Sequence, residues 1–183
     1  MSKKKQQEEK IEEKKPFIIL NAKIKEGICE YSYEINSGPC EGDQIKGRRG
    51  INMIHDDLAN CFKELNVHLA ILDDAFTGKT LSEFENSDSE GLFSVYGFKV
   101  TGTEENEGYV LQGEKWVKHG NISLESPKIS KASAYPFWEE LCFAMEAARN
   151  EVLAYMNGKF APKYEQSEMN FSVTSVDEFN NPL

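Results

Sequence analysis

The chain has 183 residues, 39% hydrophobic and 28% charged, with a formal charge of −10. The apolar share excludes wholesale disorder, and no apolar run approaches the roughly 20 residues of a membrane helix, so a helical span is excluded too. A body this acidic repels polyanions on average, so contact with nucleic acid requires a local basic patch.

Residues 1–15 hold six lysines and four glutamates with no apolar period, and read as a disordered charged tail. They also lack the apolar stretch of a secretory signal, which places the expected site of action in the cytoplasm. The domain is predicted over residues 16–160. Within it, residues 17–24 form an apolar, β-branched run. After the turn signal Lys25-Glu26-Gly27, residues 28–35 alternate, with Cys29, Tyr31, Tyr33 and Ile35 on one side. Together these two runs predict a β-hairpin. Residues 36–50 hold five helix- and strand-breakers (Gly38, Pro39, Gly42, Gly47, Gly50) and read as a loop.

A helix is predicted over 51–74, where Ile54, Leu58, Phe62, Leu65, Leu69, Leu72 and Phe76 recur every three or four residues. Asp56 and Asp57 fall near its start, where negative charge complements the helix dipole. Residues 77–91 are polar and acidic, a second loop. Strands are predicted over 92–101, 109–117 and 122–129, joined by an exposed connection at 102–108 and a turn at 118–121. Pro136 suits the first turn of a second helix, whose stripe runs Phe137, Leu141, Met145, Ala148, Val152 and which Gly158 ends. Residues 161–183 read as a mostly extended tail with a short strand near 171–173. The order β-β-α-β-β-β-α predicts an α+β fold: an antiparallel sheet of about five strands with two helices on one face.

No pattern assigns an enzyme, a metal or a cofactor. Gly78-Lys79-Thr80 lacks the glycine that a nucleotide loop needs five residues ahead, where Asp73 stands, and it follows a helix rather than a strand. His55-Asp56-Asp57 reads as an acidic first helical turn, because adjacent aspartates diverge on a helix. Cys61, Glu64 and His68 align at i, i+3 and i+7 but lack a fourth ligand, so a buried thiol near a partly buried histidine is the better account. The four cysteines are scattered, as reduced structural thiols are.

Two patches qualify as binding sites. Lys46, Arg48 and Arg49 form the one strong basic cluster after the N-terminal tail, placed just ahead of a predicted helix N-terminus, where backbone N–H groups and the dipole favour an anion. Tyr31, Tyr33, Tyr96 and Trp116 lie on predicted strands with Lys115 and Lys118 on or beside them, a candidate stacking platform for single-stranded bases. The other account of these aromatics is core.

The runs Ile51-Asn52-Met53-Ile54-His55-Asp56-Asp57-Leu58, Leu65-Asn66-Val67-His68-Leu69 and Tyr96-Gly97-Phe98-Lys99-Val100-Thr101-Gly102 resemble a family of proteins encoded by tailed phages and prophages, including those of Bacteroides-type hosts. No activity is established for that family, so no residue role carries over. The resemblance implies only a cytoplasmic protein made in an infected bacterium. With the basic patches, it points to a non-enzymatic accessory of DNA metabolism that binds single-stranded DNA or a DNA-processing protein, with self-association left open. The alternative is an acidic inhibitor or DNA mimic that binds a basic host protein, such as a defence factor.

Overall fold

The computed structural model describes residues 15–102 and 106–162. The predicted N-terminal tail (apart from residue 15), part of the 102–108 connection and the predicted strand near 171–173 lie outside the described residues. Among the described residues there are seven strands: β1 (Phe17–Lys25), β2 (Ile28–Ile35), β3 (Gln44–Met53), β4 (Phe93–Thr101), β5 (Gly108–Val117), β6 (Gly120–Glu125) and β7 (Ile129–Ser130). They form one antiparallel sheet in the order β3-β2-β1-β4-β5-β6, with β7 also pairing β5. Three α-helices among the described residues, α1 (Asp56–Glu64), α2 (Asn66–Leu72) and α3 (Trp138–Met156), pack against it. The fold is thus α+β, as the hydrophobic periods predict.

Cross-strand partners share a sheet face, so the register sorts the side chains. Tyr31, Ala22, Phe98 and Leu111 run across four strands as successive partners, and all are buried beneath the helices. Leu58 and Phe62 of α1, Leu69 of α2, and Leu141, Met145 and Val152 of α3 complete that core. Gly113 lets α2 sit close to β5: a Cβ there would lie 2.4 Å from Leu69 Cδ2 and 2.6 Å from the carbonyl oxygen of Ser94. On the opposite face lie Ser32, Asn21, Lys99 and Val110.

Four expectations are corrected. The loop at 36–50 ends early, because its second half begins β3. Here the glycines mark bulges: the register of β2 on β3 slips near Gly47 and near Gly50. Gly47 adopts φ +62° and donates its N–H to Ser32 Oγ at 2.9 Å, outside the ladder. At Gly50 a Cβ would fall 2.0 Å from the Tyr155 hydroxyl oxygen, so glycine admits α3 there.

The helix at 51–74 starts at Asp56, after the strand, and breaks at Leu65. The break places Asn66 so that its Oδ1 accepts the N–H of Val95, at the β4 bulge, at 2.7 Å. The strand at 122–129 is split, because Ser126 takes over the partnership with Leu111 through both its N–H and its hydroxyl, and Pro127 follows. The last helix begins at Trp138, with Pro136 just ahead of it.

Candidate functional site

Lys46, Arg48 and Arg49 all stand exposed on β3. This strand spans ten residues, holds three cations and no acid, and forms one edge of the sheet. Arg49 Nη2 lies 3.3 Å from Glu26 Oε2, an exposed pair worth little in stability. Lys46 and Arg48 form no ion pair among the described residues. The expected helix N-terminus is not part of this site. His55 caps α1 by accepting the N–H of Asp57 on Nδ1 at 3.2 Å, and the first turn there is acidic. The basic run therefore offers an edge strand rather than a helix dipole.

The other cations of the sequence reading are elsewhere. Lys115 shares the covered face with Phe93, lies 5.3 Å above that ring and pairs with Asp73. Lys118 lies in the turn between β5 and β6, at the far edge of the sheet from β3. The four aromatics divide as well. Tyr31 and Tyr33 are only 5% and 8% exposed, in the core, and Tyr31 packs edge-on against Tyr155 of α3. They cannot stack bases, since the strand alternation that made them look like a surface row turns them under the helices.

Tyr96 and Trp116 lie on the uncovered face. Lys23 Nζ sits 4.9 Å above the Tyr96 ring, and Trp116 pairs across to Asn121 near the far edge. Around them the charges compensate: Lys99 binds Glu125 at 3.2 Å, and Gln112 donates to the same carboxylate at 2.6 Å. These contacts hold the Glu125 carboxyl below its ordinary range, the Gln112 bond first and Lys99 next.

The titratable clusters resolve into structural roles. Asp57 accepts from Lys159 at 2.7 Å, which lowers its pKa, and Lys159 also holds Glu151 at 2.8 Å, tying the start of α1 to the end of α3. His68 is buried, with Nδ1 2.8 Å from the Tyr135 hydroxyl, on a helix separate from Cys61 and Glu64. In the Gly78-Lys79-Thr80 turn the anion position is filled by the chain itself: Glu83 accepts the Lys79 N–H at 3.2 Å and the Thr80 hydroxyl at 3.1 Å.

Sequence reasoning missed one feature. A cavity of about 600 Å³ opens between α3 and the beginnings of β1 and β5, lined by Phe17, Glu107, Tyr109, Cys142, Glu146 and Arg149 among others. Its polar groups satisfy one another. Glu107 Oε1 accepts from Tyr109 Oη at 2.9 Å and from Arg149 at 3.1 Å, while Lys15 reaches Asn150 at 2.9 Å and Glu146 at 3.3 Å. Burial raises the pKa of the Cys142 thiol, which favours the thiol over a nucleophilic thiolate. The described polar groups here thus form two sets, Glu107 with Tyr109 and Arg149, and Lys15 with Asn150 and Glu146.

Compared with known proteins, the chain matches no family model, no curated protein and no solved structure.

Proposed function

We propose that this protein is a non-enzymatic accessory of phage-type DNA metabolism that binds single-stranded nucleic acid along the β3 edge. One observation carries the reading: a chain of charge −10 concentrates Lys46, Arg48 and Arg49, with no acid, on one exposed edge strand. Phosphate contacts from such a strand supply affinity without sequence preference. The uncovered face adds Tyr96 and Trp116, though Trp116 stands several strands away from β3. The phage setting comes from the sequence resemblance alone.

The Arg48→Ala/Arg49→Ala double variant tests it. Affinity for a labelled single strand at low salt falls at least about tenfold, and the dependence of log affinity on log salt flattens by about two, roughly one per lost cation. A variant that binds as tightly as the parent, with the same salt slope, overturns the reading.

A second reading, the acidic inhibitor or DNA mimic, has its own support. Asp56, Asp57 and Glu64 of α1 and Glu139, Glu140 and Glu146 of α3 are all exposed on the helical layer. That layer suits a partner with a basic surface, and its recognition is indifferent to Arg48 and Arg49.

A further inference from the structure

The two edges of the sheet are built differently. β3 slips register twice on β2, carries three cations and is met at its end by the returning chain, where Phe160 bridges Ile54 and Ala161 donates its N–H to the Met53 carbonyl at 3.0 Å. Bulges, cations and cover are the devices that keep an edge strand from pairing with another chain. β6 has none of them. Its register on β5 runs from Val117–Gly120 to Gln112–Glu125 without a slip, it holds no proline, and its one charge is Glu125 at the end. Ser126, just beyond it, gives its N–H to the Leu111 carbonyl of β5 at 2.9 Å. Alternate residues of an antiparallel strand address opposite neighbours, so Leu124 and Ile122 also face β5, while Asn121, Ser123 and Glu125 turn their N–H and C=O groups outward. Among the described residues no strand pairs with that outward side. Apolar surface accompanies it: Ile122 is 50% exposed on the helical side of the sheet, and Trp116 is 52% exposed on the other.

We propose that β6 pairs antiparallel with β6 of a second copy of this chain, about a twofold axis at Ser123. The strand complements itself in that register. Ser123 faces Ser123, Asn121 faces Glu125, and Ile122 faces Leu124, the last two pairs each occurring twice. The outward-turned residues exchange the hydrogen bonds, and Ile122 meets Leu124 at the non-hydrogen-bonded positions, where side chains stand closest. No like charges oppose one another. Glu125, already held by Lys99 at 3.2 Å, meets the Asn121 amide. This self-complementarity is what selects a second copy as the occupant. The pairing joins two six-strand paths into one continuous sheet. Its uncovered face carries Trp116 from both copies, and the two basic β3 edges stand free at its ends.

Sedimentation equilibrium of the full-length chain tests this dimer, with Ser123→Lys and Ser123→Pro as variants. One short strand per copy makes a small interface, so the average mass rises from one chain toward two with a dissociation constant of roughly 1–100 µM. Ser123→Lys gains Glu114 as its cross-strand neighbour within one chain but opposes its own copy across the axis. Ser123→Pro removes an outward N–H that the single chain does not use. Each variant weakens association at least about tenfold and leaves the exchange of β1 and β4 amides unchanged. In the parent, the amides of Asn121, Ser123 and Glu125 exchange about tenfold slower when the dimer predominates. A parent that stays monomeric up to about 500 µM overturns the dimer and leaves the β6 edge to a strand of another protein. Variants that associate as tightly as the parent overturn it too, as does a dimer in which those three amides stay unprotected. The dimer does not rest on the nucleic-acid reading. Oligonucleotide binding by a monomeric chain removes the dimer alone, and a dimer that binds no oligonucleotide removes that reading alone.

Discussion

Phe62→Ala lowers the unfolding free energy by about 3–5 kcal/mol, read from urea denaturation with an unchanged m-value. Phe62 is 2% exposed and lies on α1, which packs against both β4 and α3. Its ring centroid is 5.6 Å from that of Phe98, in the middle of the sheet. The void left by the truncation cannot readily close. The start of α1 is tied to α3 through Asp57, Lys159 and Glu151, and the start of α2 is held to β4 by the Asn66–Val95 bond. A loss under about 1 kcal/mol would show that α1 is not seated on the sheet as described.

The second large effect is a loss of stability between neutral and mildly acidic pH. His68 is 1% exposed, and burial, which disfavours the imidazolium, pulls its pKa from 6.5 down to about 4. The unfolded chain therefore takes up a proton at higher pH than the folded one. The stability that depends on neutral His68 is fully present above 6.5, declines as pH falls from 6.5 toward 4, and changes no further below that. Each pKa unit corresponds to about 1.4 kcal/mol, so the window spans about 3 kcal/mol. The depressed carboxyls of Asp57 and Glu125 act in a lower window, since their contributions are fully present above the ordinary values of 3.8 and 4.5. Thermal melts at pH 7.0 and 5.0 separate the two, and His68→Gln, which does not titrate, removes most of the slope between them. A parent protein equally stable at both pH values contradicts a buried, neutral His68.

The hydrophobic periods carried the fold class. The alternation at residues 28–35 is β2, and the stripe through Leu58, Phe62 and Leu69 is the buried side of α1 and α2. The break at Leu65 left no trace, because Leu65 continues the stripe and is itself buried. β3 was illegible for a local reason: its glycines serve bulges and a close approach by Tyr155, whereas glycines and charges together read as loop. The basic residues Lys46, Arg48 and Arg49 stood out from composition, but their setting on an edge strand did not. Alternation alone could not say which side of β2 the helices cover, so it left Tyr31 and Tyr33 open to a stacking platform or to the core, and they lie in the core. The Glu107–Arg149 pair joins residues 42 positions apart, beyond the reach of any local pattern.

The most direct test of the β3 edge as a nucleic-acid contact is fluorescence anisotropy of labelled single- and double-stranded oligonucleotides, titrated with the full-length chain at low and at physiological salt. The account predicts binding that favours the single strand and weakens steeply as salt rises. Absence of binding to either oligonucleotide at low salt contradicts it, and directs attention to the acidic helical layer and a basic protein partner.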